Sequence, residues 1–530
     1  MRLLFVVIAL SLSVHGQPPA ALDLKITGGT VVDGTGAPGR RADVGVRAGR
    51  IVAVGDLSAR ASKTSIDAKG MVVAPGFIDV HAHADSQALS RRDALNFLHM
   101  GVTTIVTGNC GGSVADFSAH FTKLKQGGIG VNYGSLVGHG TVRSAVMGTA
   151  ARDPTAAELV RMQALVETAM SQGAFGISTG LIYVPGTYAK TEELVALARA
   201  AEKHGGLYVS HMRNEGDDVL VAIDEALRIG KESGIAVHLS HLKASGKNNW
   251  GRSKHIIARI KDARDRGMQV TGDQYAYTAS STSLDVLFPA KELQITRGRF
   301  AKKLNDDAGF RDKMHRSLLG TMKRMGFGDF AYCQIAFAPN NATLSGMTIK
   351  AAAKKRLGQD DRDAQAKTTI DLFIESKGRR ISMVYHKMCE PDVEAIMRAP
   401  FVAVACDAGI RARGAARPHP RGAGNNPRVL GRYVRDRSVL PLELAVHKMT
   451  GLPASTFGLE GRGTLKAGAH ADLVVFDPGT IADRATYDEP YEPPVGIPWV
   501  IVNGRASISN GTFSGERSGQ VLRRQTSEPR

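Results

Sequence analysis

Two histidines end an apolar run in the stretch GFIDVHAHAD, residues 76–85. His81 and His83 are separated by Ala82 alone, and strand side chains alternate between two faces. An extended chain therefore directs both imidazoles to the same side, with Asp85 just beyond them. Imidazole nitrogens bind transition metals and transfer protons near neutral pH. The stretch is a candidate for metal-dependent chemistry.

Four more side chains of this kind end later apolar runs. A single histidine at a strand end is usually packed or hydrogen-bonded, but six such residues together indicate a metal. Imidazole, thiolate and carboxylate are the ligand set of Zn²⁺. We therefore predict a zinc site formed by His81, His83, Cys110, His211, His241 and Asp407.

Other histidines do not fit this pattern. His238 has the opposite parity to His241 in the same strand, which predicts a structural role. His99, His120 and His204 stand in helical sequence, and we expect them at the surface.

The elements that must position these residues alternate between strand and helix. Strands are predicted at 77–83, 103–109, 130–138, 175–181, 207–212, 236–242, 269–275 and 401–407, with helical stretches between most of them. Eight apolar strands with helical crossovers predict an α/β fold of the (β/α)₈ TIM-barrel type, whose active site lies at the carboxyl ends of the strands. The six predicted ligands stand at those ends.

Both ends of the chain differ from this middle. They are rich in short β runs broken by glycine and Asp-Gly turns. We predict one small β-sandwich domain built from residues 17–72 and 460–530, around a barrel at 73–459. The stretch at about 283–395 contains extra helices and an apolar strand, ISMVYHKM, and is interpreted as an insertion after the seventh barrel strand.

Composition narrows the function classes. The chain has 530 residues and a formal net charge of +18, but aromatic residues make up only 6% and do not interleave with basic ones. This argues against nucleic-acid binding and leaves two interpretations of the positive charge, an acidic surface or a small anionic substrate, of which the small anionic substrate is the expected partner. Residues 411–437 hold eight arginines and one acid. They form either a positive lip that attracts anions or a solvated basic loop.

The first sixteen residues have the pattern of a signal peptide. Arg2 precedes an apolar stretch from Leu3 to Val14, which is too short to span a bilayer. We expect an exported protein, periplasmic or secreted; the alternative is a frayed hydrophobic terminus. No later apolar run predicts a membrane span, and four cysteines are too few for a disulfide scaffold. The sequence does not predict the oligomeric state.

A series of motifs carries a family resemblance. In order they are GFIDVHAHAD, GNCG, LVGHGTVR, GLIYVPGTYAKTEEL, HMRNEG, SHLKASG, DQYAYTASST and HPRGAGNNPRVLGRYVR. With them the chain, from about residue 25 onward, resembles the amidohydrolase superfamily and, within it, the N-acyl-D-amino-acid deacylases (D-aminoacylases). The resemblance implies a metal-bearing barrel with a small β-domain. It also implies zinc-dependent hydrolysis of the amide bond of N-acyl-D-amino acids.

The resemblance also assigns roles. It implies one tight zinc on Cys110, His211 and His241, and a second, weakly occupied site on His81, His83 and Asp407. Asp407 would be the catalytic base, with Tyr183 donating to the developing oxyanion. The residues that would hold the substrate carboxylate and amide are Lys243, Tyr275, Ser281 and Arg421. Cys406 replaces the serine usual before this aspartate, and its parity predicts packing.

Other interpretations remain at this stage. Within the superfamily, a dipeptidase, dihydroorotase or hydantoinase-like activity is the near alternative. A non-catalytic binding protein on the same barrel would be favoured by loss of a ligand, and none is missing. Taken singly, Cys110 could be a small buried residue and Asp407 a strand-end turn carboxylate.

Overall fold

The computed structural model describes residues 21–524, so the predicted signal peptide at 1–16 lies outside the described residues. The described part of the chain begins with seven short strands. They are β1 Leu22–Thr27, β2 Thr30–Val31, β3 Arg40–Arg41, β4 Asp43–Arg47, β5 Arg50–Gly55, β6 Ser62–Asp67 and β7 Val72–Pro75.

Parallel strands then alternate with helices. The strands are β8 Phe77–Asp79, β9 Val102–Thr107, β10 Asn132–Ser135, continued by β11 Val137–Gly138, β12 Gly176–Gly180, β13 Leu207–His211, β14 Ala236–Leu239 and β15 Val270–Gln274. The helices are α1 Gln87–Ser90, α2 Leu95–His99, α3 Phe117–Gly127, α4 His139–Met147, α5 Ala156–Ser171, α6 Thr191–Glu202, α7 Val219–Ser233 and α8 Ser253–Asp265, with 3₁₀ turns at Gly186–Tyr188 and Lys247–Asn249. All six residues of β9 are buried, as expected for a strand covered on both faces.

A helical segment with its own core separates the seventh and eighth barrel strands. It contains an antiparallel sheet of β16 Ser280–Ser283, β17 Cys333–Phe337 and β18 Ser382–Tyr385, in the order β16-β18-β17. Around it lie α9 Arg297–Asp306, α10 Ala308–Arg324, α11 Ile349–Leu357, α12 Arg362–Glu375 and α13 Glu390–Arg398, with 3₁₀ turns at Leu284–Leu287, Ala290–Glu292 and Ala342–Leu344. Its apolar cluster includes Phe300, Leu318 and Phe373.

The eighth barrel strand is β19, Val402–Val404. It pairs in parallel with β15, and a parallel bridge between Ala82 and Ala408 brings it beside the chain that follows β8. The remaining helices are α14 Arg421–Arg428, which continues as a π-helix over Val429–Asp436, α15 Leu442–Met449 and α16 Gly451–Phe457. These pairings close the predicted eight-stranded barrel, and the predicted fold class is confirmed.

Both ends of the described chain meet in one seven-stranded sheet. The last strands are β20 Leu473–Phe476, β21 Trp499–Val502, β22 Arg505–Ser509 and β23 Thr512–Phe513. The sheet has the order β23-β22-β21-β20-β7-β2-β3, and a second sheet has the order β5-β4-β1-β6. Side chains of the two sheets share one apolar cluster, as in a β-sandwich.

One surface prediction is wrong. His120 is buried, because it lies on the inner face of α3 with Phe117, Phe121 and Leu124, and its Nε2 is 3.1 Å from the Tyr133 hydroxyl. His99 and His204 are partly buried, and the expectation for His238 agrees with the structure. His238 is structural, bonded to Thr271 and Asp273, and all four cysteines are free thiols. Among residues 21–524, every helix is too short or too polar to cross a bilayer.

Candidate active site

The six predicted ligands converge at the carboxyl ends of the barrel strands. Cys110 Sγ lies 3.3 Å from His81 Nε2 and 3.6 Å from His241 Nε2, which is 2.8 Å from His211 Nδ1. Asp407 Oδ1 lies 3.6 Å from His81 Nε2. On the outer side of this cluster, His83 Nε2 is 3.0 Å from the same Asp407 oxygen.

The donor atoms fit a zinc ion. Ligand atoms around tetrahedral zinc lie about 3.3–3.6 Å apart, given its usual Zn–N and Zn–S lengths. In the Cys110, His211 and His241 group, the sulfur lies 3.6 Å from His241 Nε2, which lies 2.8 Å from His211 Nδ1, and one ligand atom from each residue lies within 4.8 Å of the others. Three protein ligands leave a fourth position for water or substrate, which is the arrangement of catalytic zinc.

Three ligands have an unusual backbone. Cys110, His241 and Asp407 have φ values of 53°, 34° and 50°, in the left-handed region that disfavours residues with a Cβ. Each follows the end of its strand, so the chain turns sharply where the ligand projects. Such conformations persist when the surrounding structure enforces them, and they cluster at functional sites.

Charge within the cluster keeps two ligands ionised. Burial acts to raise the pKa of the Cys110 thiol, but the charges of His81 and His211 outweigh it and hold that pKa well below its usual range. Burial likewise opposes ionisation of Asp407, and the charges of Arg421 and His81 overcome it, so its pKa is also well below the ordinary value. Thiolate and carboxylate are the forms that bind metal.

Sequence analysis missed two carboxylates, each of which lies beside the Nδ1 atom of a predicted histidine ligand. Glu215 Oε1 lies 3.0 Å from His241 Nδ1 and is paired with the Lys243 ammonium. Asp273 Oδ2 lies 3.1 Å from His81 Nδ1. Carboxylates in this position fix the tautomer and orientation of a ligating histidine.

Each missed carboxylate had only a weak signal in the sequence. Glu215 stands in the loop HMRNEG, four residues after His211, and only the bend of that loop brings it to His241. Asp273 is inside β15, VTGDQ, where an acid within a predicted barrel strand was the available sign. It also receives the His241 backbone N–H at 2.8 Å, so it fixes two ligand-bearing strands at once.

Arg421, the first residue of α14, brings a guanidinium to the same place. One terminal nitrogen lies 2.9 Å from Asp407 Oδ2, and its central carbon lies 4.4 Å from the centre of the Tyr275 ring. The Arg421 Nε, its other terminal nitrogen and the Tyr275 hydroxyl are buried without a hydrogen-bond partner among residues 21–524. Buried polar groups without partners are rare and unfavourable. A carboxylate would satisfy several of these donors together.

The other predicted substrate residues line the same cavity. Lys243 Nζ is bound to Glu215 and to His241 Nδ1, and lies 5.7 Å from the Tyr275 ring. The Tyr183 hydroxyl is hydrogen-bonded to Thr282 at 3.0 Å. Ser281 donates its hydroxyl to the Met383 carbonyl at 2.8 Å, within the β16–β18 pairing.

The cavity has a volume of about 1730 Å³, larger than most small-molecule sites. Its walls come from the barrel mouth and from the segment between β15 and β19, and lysines and arginines outnumber carboxylates in the lining. Arg411, Arg413 and Arg421 of the arginine-rich stretch line it, whereas Arg428 and Arg437 form ion pairs with Asp483 and Glu394. Part of the stretch therefore faces the cavity and part joins neighbouring elements.

Comparisons with known proteins agree with this geometry. The amidohydrolase family model matches residues 64–283 and 392–508. The D-aminoacylase of Alcaligenes xylosoxydans xylosoxydans is 40% identical over 525 residues, which cover 95% of this chain and 98% of that protein. The N-acyl-D-glutamate deacylase of the same organism is 38% identical over 96% of this chain and 97% of its own length.

A solved structure with zinc is also similar. The N-acyl-D-glutamate deacylase of Bordetella bronchiseptica, complexed with zinc and a phosphonate mimic of the tetrahedral intermediate, is 38% identical. It superposes with a TM-score of 0.80 over 95% of this chain and 100% of that one.

A closed parallel barrel with cysteine, histidine and aspartate ligands at its carboxyl end defines a metal-dependent hydrolase. The matches specify this class further. The chain belongs to the amidohydrolase family, and D-aminoacylases are its relatives over nearly the whole length.

Proposed function

We propose that this protein is a zinc-dependent deacylase that hydrolyses N-acyl-D-amino acids to a carboxylate and a D-amino acid. The observation that carries the proposal is the juxtaposition of two sites in one cavity. The group Cys110, His211 and His241 suits one zinc, and the unpartnered donors of Arg421 and Tyr275 suit one carboxylate nearby. An N-acyl amino acid has an amide for the first site and a carboxylate for the second.

The chain's own residues supply proton transfer and orientation. A zinc ion held by the three ligands would supply water activation and polarise the amide carbonyl. Asp407 is buried, ionised and next to the ligands, so it can accept a proton from the attacking water and return it to the leaving amine. Tyr183, whose ring centre is 4.9 Å from that of His211, can donate its hydroxyl to the developing oxyanion.

We place one tight zinc on Cys110, His211 and His241, and a weaker second site on His81, His83 and Asp407. The first group includes a thiolate, whereas in the second His83 and Arg421 already hold the Asp407 oxygens. Metal content after exhaustive dialysis tests this assignment, with close to one zinc per chain expected. Two equally retained ions would contradict it.

Preference for the D hand follows from holding both ends of the substrate. With the carboxylate on Arg421 and the scissile carbonyl near the zinc ligands, the substituent on the α-carbon can point only one way. The two deacylase relatives named for D-substrates support the choice of hand.

The test is the hydrolysis of a stereo-defined panel of N-acetyl amino acids by the wild type and by Arg421→Ala. We expect turnover of D-substrates only. Loss of the charge-assisted contact should lower kcat/KM by about ten- to a hundred-fold and weaken the stereochemical preference. Equal turnover of both hands by the wild type would contradict the D-aminoacylase assignment. An unchanged Arg421→Ala profile would contradict only the role of Arg421.

We also propose that the protein is exported, on the basis of Arg2 and the apolar stretch that follows it. Amino-terminal sequencing of protein recovered from the periplasm or medium tests this, with a new terminus near Gln17 expected. An uncleaved cytoplasmic protein would contradict it.

A further inference from the structure

His419 is a buried histidine that the proposed reaction does not use. It stands two residues before Arg421, at the start of the motif HPRG, and is fully buried. Both nitrogens of its ring have a partner. Nδ1 accepts the backbone N–H of Arg421 at 3.0 Å, and Nε2 lies 2.9 Å from the Ala279 carbonyl oxygen. Because Nδ1 accepts, the ring carries its proton on Nε2, which donates to Ala279.

The first of these bonds acts on the helix that carries the substrate-binding guanidinium. Arg421 is the first residue of α14, and the first backbone N–H groups of a helix have no partner inside it. Pro420, which precedes Arg421, gives no side-chain cap. His419 Nδ1 supplies the missing acceptor. It therefore fixes the backbone of the residue whose side chain reaches Asp407.

The second bond acts on the chain that carries Tyr275. Ala279 lies between β15 and β16, in the same connection as Tyr275. The His419 ring also packs edge-on against the Tyr275 ring, with the ring centres 6.0 Å apart. Asn425 joins the same two segments one helical turn later, by accepting the Ala276 N–H at 2.9 Å, and leaves the first N–H of the helix to His419. One imidazole thus connects the two residues of the proposed carboxylate site.

The Arg421 guanidinium depends on this support, because few contacts hold the side chain itself. One terminal nitrogen is bonded to Asp407, whereas Nε and the other terminal nitrogen have no hydrogen-bond partner within residues 21–524. Their direction is therefore set by the backbone of Arg421 and by the Tyr275 ring on which the guanidinium stacks. A misplacement of about 1 Å can lower an enzymatic rate by about a hundred-fold, even when its cause is remote from the reacting atoms.

A neutral ring suits this position. Burial lowers the pKa of His419, and the charge of Arg421 lowers it further, so the pKa lies well below its ordinary value. The ring can therefore lie beside Arg421 without a like charge that would repel the guanidinium.

We propose that His419 is a positioning residue for recognition of the substrate carboxylate, and that it acts through the backbone of Arg421. The inference rests on the proposed deacylase function and adds a residue to its carboxylate site.

Two amide variants separate the two bonds of the ring. In His419→Asn the side-chain oxygen takes the place of Nδ1 and can accept the Arg421 N–H, whereas in His419→Gln the amide nitrogen takes the place of Nε2 and the bond to Arg421 is lost. The assay is hydrolysis of N-acetyl-D-leucine by the zinc-loaded protein. We expect His419→Gln to lower kcat/KM by about ten-fold or more, mainly through KM, and His419→Asn to remain within a few-fold of wild type.

A double-mutant cycle with Arg421→Ala shows whether the effect passes through Arg421. In the Arg421→Ala background, His419→Gln should change kcat/KM by less than about two-fold, because the guanidinium that it misplaces is already gone. Independent structural damage would instead multiply the two losses. N-acetyl-D-leucinamide, which lacks the carboxylate, gives a second measure: His419→Gln should lower the ratio of kcat/KM for acid over amide, which does not depend on the fraction of folded protein.

His386→Gln is the matched control. The His386 and His419 rings both pack against Tyr487, and His386 Nε2 is bonded to Gln334 at 3.0 Å. This variant removes an imidazole from the same aromatic group and should keep the wild-type acid-over-amide ratio. If circular dichroism shows that His419→Gln does not fold, His419→Leu, which removes both bonds, takes its place in the cycle.

Equal losses in His419→Asn and His419→Gln would overturn the inference. So would an unchanged His419→Gln, or losses that multiply in the cycle. Failure of the deacylase proposal gives a different result, because no D-substrate is then hydrolysed. In that case calorimetric titration with butanoate decides: weaker binding by His419→Gln than by wild type and His419→Asn supports the positioning role, and equal binding by all three overturns it.

Discussion

Buried polar groups at the two ends of the barrel differ in whether they have hydrogen-bond partners. At the amino end, Lys448 donates to the carbonyls of Ala399 and Val402, and Asp472 accepts from both Arg462 and Asn132. At the carboxyl end, His211 Nε2, the Tyr275 hydroxyl and two Arg421 nitrogens are buried without a hydrogen-bond partner within residues 21–524.

This difference distinguishes polar groups that are buried to stabilise the fold from polar groups that are buried to bind a ligand. A buried polar network in which each member is satisfied stabilises one fold, whereas unpaired groups in a cavity are stabilised only by a ligand. Substitutions at the carboxyl end should therefore change metal binding and activity with little change in the melting temperature of the metal-free protein. Substitutions at the amino end should do the reverse.

The largest effect is expected for Cys110→Ala. Removing the thiolate takes one of three ligands from the tight zinc group, so zinc content and deacylase activity should fall together to background. Elemental analysis and the hydrolysis assay measure the two quantities, and circular dichroism checks that the fold is retained. A metal-free variant with full activity would contradict the zinc model.

Asp407→Asn should affect proton transfer more than metal binding. The expected loss in kcat is about 10²–10⁴-fold, the usual contribution of a general acid–base group, with most of the zinc retained. The comparison with Cys110→Ala is informative, because that variant should lose zinc as well. A kcat within a few-fold of wild type at every pH would exclude Asp407 as the base.

Glu215→Gln tests a carboxylate that only positions other groups. It keeps the size of the side chain but removes the charge beside His241 Nδ1 and Lys243, and loss of such a support usually costs about 10–100-fold in metal affinity or activity. Zinc affinity, measured by chelator competition, should fall by that amount. Asp217→Asn, a neighbouring acid bonded to Asn249, is the matched control and should bind zinc like the wild type.

These predictions also show how far the sequence could lead. Strand parity and strand ends are sufficient to predict that the six candidate ligands lie close together, because the carboxyl ends of barrel strands meet at one mouth. The contact of Glu215 with His241 and that of Arg421 with Asp407 depend on how the loops bend after the strands. No periodicity in the sequence indicates such a bend.

The segment between β15 and β19 was harder to predict. The apolar strand ISMVYHKM is present as β18, but its neighbour β16 has the sequence SSTS, which has no hydrophobic pattern. Backbone pairing with β18 alone defines it as a strand. The surface prediction for His120 was wrong for a related reason. The type of a polar residue does not show that it lies on the inner face of a helix.

A substitution at the amino end of the barrel should have the smallest effect on activity. Its effect on stability should be clear. Burial lowers the pKa of Lys448 from 10.5 to about 7. Between those values the unfolded chain keeps a proton that the folded chain has lost. The stability contributed by this position therefore rises with pH from about 7 to 10.5, by at most ~1.4 kcal/mol per pH unit, and is constant below that interval.

Lys448→Met removes this dependence. The melting temperature of the wild type relative to the variant should increase as pH rises through the interval, while kcat/KM of the folded variant stays within a few-fold of wild type. Lys466→Met, at an exposed lysine, is the control for general charge effects. Parallel melting curves for wild type and Lys448→Met across this range would show that Lys448 does not change its protonation on folding.

The left-handed backbone at Cys110, His241 and Asp407 has a consequence for laboratory evolution. Glycine adopts such conformations without the steric penalty of a Cβ, so glycine at these positions would relieve strain while destroying the site. Stabilising substitutions in natural proteins commonly reduce function where activity needs a strained site. A screen that rewards heat resistance alone would therefore favour losing the metal centre, and variants of this protein need to be selected for turnover and thermal tolerance in the same round.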